Sequence, residues 1–155
     1  MDAIAALLKT HGASLSIAES CTGGSLSAML TEKAGASKFF TGGLVAYTAA
    51  LKRQELKVSQ ATMDRYSVVS REVAEEMATG MQHKTGSTYS IAITGNAGPT
   101  IDNTDKSVGV VCIAIAGPVE VYSKEFNFGK PREKVIHRAC NKALELLRKE
   151  IIKNY

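Results

Sequence analysis

Ser20 and Cys21 stand side by side in Glu19-Ser20-Cys21-Thr22-Gly23-Gly24, two candidate nucleophiles followed by a glycine pair. Such a group attacks a carbonyl only when its proton is removed or its pKa lowered. Cys21 could gain reactivity at a helix N-terminus, where thiol pKa values fall. Adjacent side chains diverge, so the two cannot serve one carbonyl together. Ser20 needs a base, and Tyr47 with Lys52 offers one. Lys52 falls in the first turn of an expected helix, where the positive end of the dipole disfavours a cation. Arg53 adds a like charge beside it. Both effects, and any burial in a cleft, push a lysine pKa toward usable base strength. With Tyr47 at a strand end and Lys52 one turn into the helix, both side chains can reach one point. A phenol there could relay a proton between serine and amine. That reading places the Lys52 amine and the Tyr47 hydroxyl near the Ser20 hydroxyl, at roughly 2.6–3.2 Å or somewhat looser without ligand.

The N–H groups of Thr22, Gly23 and Gly24 would point outward at a helix N-terminus, a place suited to a phosphate or to the oxyanion of an attacked carbonyl. The glycines would let a ligand touch the backbone. A third stretch, Gly95-Asn96-Ala97-Gly98-Pro99, opens a turn-rich loop after a strand, and long loops of that kind carry function. Plainer readings stand beside these. Ser20 and Thr22 can cap a helix, the glycines can serve packing, Lys52 can be a surface lysine and Tyr47 a core aromatic.

The elements that must position these groups follow from hydrophobic period. Ile4, Leu7 and Leu8 predict a helix ended by Gly12, and Ser14–Glu19 reads as a strand alternating Leu15 and Ile17 with small polar residues. Leu26, Met29 and Leu30 predict a helix from Thr22 to about Lys33, closed by Gly35. A strand over Gly43–Thr48 precedes a helix capped by Thr48 and running to about Leu56. Ser59–Tyr66 reads as a short helix, and Ser70 caps a longer one with Val73, Met77 and Met81 along one face. Strands follow at Thr88–Thr94, Val108–Gly117 and Val119–Phe126, the last two joined by a turn at Gly117-Pro118. A final helix begins near Pro131, with Ile136, Ala139, Cys140, Ala143, Leu147 and Ile151 as its stripe.

Alternating strands and helices predict an α/β fold, a mixed, mostly parallel sheet of about five strands with helices on both faces. The tight turn makes one strand antiparallel. In such sheets ligands bind at the carboxyl ends of strands. Three candidate segments, after Glu19, at Tyr47-Thr48 and at Gly95–Pro99, would then share one edge.

The chain has 155 residues, 45% hydrophobic and 22% charged, which suits a single domain over 1–155. No apolar run approaches the roughly 18–20 residues of a membrane span, and the N-terminus lacks a signal-peptide pattern, so a cytoplasmic location is expected. Cys21, Cys112 and Cys140 are far apart, as are His11, His83 and His137, which argues against a zinc site or a disulfide framework. The net charge of +4 permits an anionic partner, but much of the excess lies on the last helix and reads as a solvated face. Direct nucleic-acid binding is not expected.

Four segments, AESCTGG (18–24), GGLVAYTAALK (42–52), VSREVAEEMATG (69–80) and ITGNAGP with KSVGVV (93–111), together resemble the CinA family. The likeness is to the C-terminal domain of the competence/damage-inducible protein and its stand-alone relatives, the nicotinamide mononucleotide deamidases. It covers nearly the whole chain. The resemblance implies a three-layer α/β/α sandwich. It implies hydrolysis of the carboxamide of nicotinamide mononucleotide to nicotinate mononucleotide and ammonia, with the family's serine, tyrosine and lysine at Ser20, Tyr47 and Lys52. It implies no metal or organic cofactor, and a homodimer or larger homo-oligomer. The Gly95–Pro99 loop would line the nucleotide side of the cleft. Two departures stand out. A polar pair between the family's tyrosine and lysine is replaced by Ala49 and Ala50, and two glycines of the substrate loop by Ile101 and Asp102 in Thr100-Ile101-Asp102. Asp102 and Asp105 would repel a phosphate if they faced the site. The altered loop favours a rival reading, a non-catalytic nucleotide- or partner-binding module linked to competence or the DNA-damage response.

Overall fold

A computed structural model describes residues 1–101 and 106–155. The chain runs α1 (Asp2–Thr10), β1 (Leu15–Glu19), α2 (Ser25–Thr31), a single 3₁₀ turn (Ala36–Lys38), β2 (Phe40–Val45), α3 (Ala49–Leu56), α4 (Gln60–Tyr66), α5 (Arg71–Thr85), β3 (Tyr89–Gly95), β4 (Val110–Ala116), β5 (Val121–Asn127) and α6 (Arg132–Asn154). The five strands form one sheet in the order β2-β1-β3-β4-β5. β1 pairs in parallel with β2 and β3, and β4 pairs antiparallel with β3 and β5. Four strands therefore share a direction and β4 alone opposes them. "Mostly parallel" describes the directions, while half of the pairings are antiparallel. The cause is the connection after β3, which returns at the same edge and sends β4 back beside it.

The two faces are filled differently. Leu15, Ile17, Ile91, Ile93, Ile113 and Ile115 pack under α1, α2 and α6. The other face offers Ala18, Ala92, Cys112, Ala114 and Ala116 to Val73, Ala74, Met77, Ala78 and Met81 of α5. Small sheet residues let α5 lie close. All five residues of β1 are buried, so its small polar positions face α5 and not water, as expected of a strand covered on both sides. Ser16 accordingly pairs with Ser87, Oγ to Oγ 2.7 Å.

Side-chain caps set the starts of α3, α4 and α5. Thr48 Oγ1 accepts the Leu51 N–H at 3.2 Å, and Ser70 Oγ accepts the Val73 N–H at 3.2 Å, each satisfying a free donor of the first turn. The largest shifts from the expected bounds, three residues each, fall in β2 and at the start of α2. β2 lies earlier than Gly43–Thr48, because its register follows β1 and ends with it, Glu19 opposite Val45. α2 starts at Ser25, later than Thr22, because Gly23 (φ +59°) and Gly24 (φ +104°) hold left-handed backbone. A Cβ at Gly23 would meet nothing within 4 Å, so conformation, and not space, calls for glycine there.

Candidate active site

The parallel register aligns the ends of β1, β2 and β3, with Glu19 opposite both Val45 and Ile93. Ser20 follows at once, its N–H still donating to the Ile93 carbonyl at 3.0 Å. The chain past β2 turns at Ala46 and Tyr47 into α3, which brings Lys52 back under the same edge. The Lys52 ammonium donates to Ser20 Oγ at 2.8 Å, to the Ala46 carbonyl at 2.9 Å and to the Tyr47 carbonyl at 3.1 Å. Lys52 is 1% exposed and Ser20 6%. Burial pushes the Lys52 pKa down to about 8, against a smaller opposing effect of the neighbouring Cys21 thiol. Arg53, expected to help, turns away to Gln60, Nη1 to Oε1 2.8 Å. Desolvation is thus the leading cause. A neutral amine can keep both carbonyls as acceptors of its two hydrogens and turn its lone pair to the Ser20 hydroxyl. Cys21 packs into the apolar core, and burial pushes its pKa up to about 12, which leaves an inert thiol.

Tyr47 is placed differently from the expectation. Its backbone carbonyl holds Lys52 and receives a long contact from Ser20 Oγ, 3.5 Å. The phenol is not bonded to either side chain. It projects to the cleft mouth, 56% exposed, and accepts a hydrogen bond from Arg132 Nη2 at 3.3 Å. With the carbonyl turned inward, the side chain leaves toward solvent.

The anion site expected at Thr22, Gly23 and Gly24 is largely taken from within. The fully buried Glu19 carboxylate accepts from Thr22 Oγ1 (2.6 Å), Gly24 N (3.2 Å) and Leu26 N (3.0 Å) through Oε1, and from Ser27 N (2.9 Å) and Ser27 Oγ (2.7 Å) through Oε2. Gly23 N–H donates to the Ser20 carbonyl at 3.0 Å. A negative side chain at a helix N-terminus satisfies both its free donors and its dipole. Among the described residues the N–H groups of Cys21 and Thr22 reach no carbonyl; the Cys21 N–H lies against its own sulfur, a weak acceptor.

Gly95, Asn96, Ala97 and Gly98 form the opposite wall of a cleft of about 400 Å³ that also includes Ser20, Lys52, Tyr47 and Arg132. Asn96 stiffens this wall, its Oδ1 accepting the Gly98 N–H at 3.2 Å and its carbonyl accepting the Gly109 N–H at 2.7 Å. Gly95 is glycine for space, since a Cβ would come within 2.7 Å of Val111. The Gly98 carbonyl accepts from Arg132 Nη1 at 2.6 Å. Asp102 and Asp105 lie outside the described residues. A wider groove of about 700 Å³ runs beside α5 between Tyr66 and Val121. No hydroxyl meets a buried amine there, so the smaller cleft is the candidate site.

Sequence reasoning passed over Glu19 and Arg132. Glu19 could have been found from α2, whose first turn has neither acidic residue nor side-chain cap. Arg132 is a cation at the first position of α6, where the dipole opposes it, and an unfavourable charge is a signal of another duty.

A three-layer α/β/α sandwich carrying a serine hydroxyl on a buried lysine at its parallel edge is the class this fold and cleft define. The CinA C-terminal domain model matches residues 1–151, and the chain belongs to that family. It is 50% identical over 149 residues to a CinA-like protein of Flavobacterium psychrophilum, covering 96% of this chain and 36% of that one. A CinA-like protein of Nostoc punctiforme is 42% identical over 149 residues, again 36% of its length. The chain thus spans about a third of these curated relatives. Among solved structures, a CinA superfamily protein from Klebsiella pneumoniae superposes with a TM-score of 0.93 at 31% identity, covering 97% of this chain and 94% of that one. One from Escherichia coli gives 0.89 at 36% identity, with 95% and 88% covered.

Proposed function

We propose that this domain hydrolyses the carboxamide of nicotinamide mononucleotide, releasing ammonia and leaving nicotinate mononucleotide. The observation that carries the reading is the 2.8 Å contact between the buried Lys52 amine and Ser20 Oγ, with a lysine pKa brought down to about 8. Neutral Lys52 takes the Ser20 proton as Oγ attacks the carboxamide carbon. We assign the developing oxyanion to the N–H groups directly after Ser20. The Lys52 ammonium then protonates the leaving nitrogen, the C–N bond breaks and ammonia departs. Lys52, neutral again, deprotonates a water that opens the ester, and Ser20 recovers its proton as nicotinate mononucleotide leaves. Val68, Val69 and Ala97 give the cleft an apolar side for a planar ring, and Arg132 at the mouth is the group suited to the phosphate.

Ammonia release by the purified protein is the test. Wild type should turn over nicotinamide mononucleotide, Ser20→Ala should lose at least about 10³-fold in kcat, and Cys21→Ser should keep substantial activity. A protein that binds the nucleotide but releases no ammonia would favour the non-catalytic module. Loss of turnover in Cys21→Ser but not in Ser20→Ala would name the wrong nucleophile.

A further inference from the structure

Resting on the amidohydrolase reading, we propose that Tyr47 is a positioning residue that acts through Arg132 at the mouth of the cleft and stands outside the proton path. Three observations carry this. The first is where the phenol goes. Ser20 and Lys52 are almost fully enclosed, whereas Tyr47 is 56% exposed, and its hydroxyl oxygen accepts from Arg132 Nη2 at 3.3 Å. The second is that the inner shell is already complete. Ser20 Oγ and the carbonyls of Ala46 and Tyr47 take the three hydrogens of the Lys52 ammonium. Serine and amine touch directly, so a relay between them has no gap to bridge.

The third is what the phenol does to Arg132. The guanidinium donates Nη1–H to the Gly98 carbonyl at 2.6 Å and Nη2–H to the phenol. Two fastened nitrogens fix the plane of a group that carries five donors. The donors that remain are held at the entrance to the cleft, where an anionic part of a substrate would arrive. Tyr47 thus braces three segments that meet there: its own turn before α3, the loop after β3 through Gly98, and the start of α6. Removing the hydroxyl frees Arg132 to swing about the Gly98 contact while leaving Ser20 and Lys52 as they are.

A double-mutant cycle reads this directly. Tyr47→Phe, Arg132→Ala and the double variant are compared with wild type for ammonia release from nicotinamide mononucleotide, with KM, kcat and the pH dependence of kcat measured for each. Both side chains are solvent-exposed, so the variants should fold. Tyr47→Phe should raise KM about tenfold, with kcat little changed and the apparent pKa of the reaction unmoved. The double variant should be no worse than Arg132→Ala alone, because the phenol has nothing left to hold. A fall in kcat of about 10² or more in Tyr47→Phe, a shifted pKa, or a Tyr47→Phe penalty that persists undiminished in the Arg132→Ala background would overturn the inference and return the phenol to the proton path. If wild type itself releases no ammonia, the proposed function fails and this inference with it. Turnover in wild type with an uncoupled cycle defeats only the inference.

Discussion

At Lys52 the amine exchanges water for a hydroxyl and two main-chain carbonyls. Three acceptors do not replace full hydration of a charge, and the pKa falls from 10.5 to about 8. The shift is also a cost to the fold. At neutral pH the buried charge takes about 3 kcal/mol from stability, at roughly 1.4 kcal/mol per pKa unit. The sign follows from proton binding. Below pH 8 folded and unfolded chains both hold the proton, and the full cost stands. Between about 8 and 10.5 the unfolded chain holds more protons, so stability rises with pH through that window. Lys52→Met has no such group. The difference in urea-derived unfolding free energy between wild type and Lys52→Met should therefore move in favour of wild type by about 3 kcal/mol from pH 7.5 to pH 10.5. Parallel stability curves for the two proteins would contradict the assigned burial cost. Glu19 shows the reverse economy: a fully buried carboxylate collects five donors at the start of α2 and holds the Ser20 turn in shape.

Among the elements, α3 matters most, because it carries Lys52 and is itself seated on α5. Gly80 of α5 lies against the last turn of α3, where a Cβ would fall 1.9 Å from the Leu56 carbonyl oxygen. That neighbour is backbone and cannot rotate aside. Gly80→Ala should push α3 outward, cost about 1–3 kcal/mol in urea unfolding, and lower turnover by loosening the Lys52–Ser20 contact. Unchanged stability and activity would mean that α3 tolerates displacement. The starts of α3 and α5 were legible, since Thr48 and Ser70 announce their caps in the sequence and the structure uses both. The bounds of β2 were not. Gly43–Thr48 looks like one apolar run, but pairing stops where β1 stops, and a partner's length is not written in a strand's own residues. The glycine pair was legible as a special place and misread in purpose: Gly23 and Gly24 supply backbone angles, and the helix start they open is filled by Glu19.

Over the whole molecule, the direction of each strand decides what reaches the cleft. β5 runs the same way as β1, β2 and β3, so Asn127 ends at the edge that carries the cleft, opposite Val110, and the chain delivers Arg132 there. Sequence spacing brought Ser20, Lys52 and the Gly95–Gly98 wall to one edge once the strands were taken as parallel. It could not bring Arg132, which depends on the hairpin at Gly117 reversing β4 and restoring β5. Nor could it turn the Tyr47 phenol outward, which depends on where one carbonyl points. The account rests on a neutral lysine drawing a proton from a serine, and the pH–rate profile of ammonia release for wild type beside Lys52→Arg tests that most directly. Wild-type kcat should rise with pH through an apparent pKa near 8 as Lys52 loses its proton. Lys52→Arg should be lower by at least about 10²-fold at every pH, because guanidinium keeps its proton throughout this range. Comparable rates in the two proteins, or a wild-type profile flat between pH 7 and 9, would contradict it.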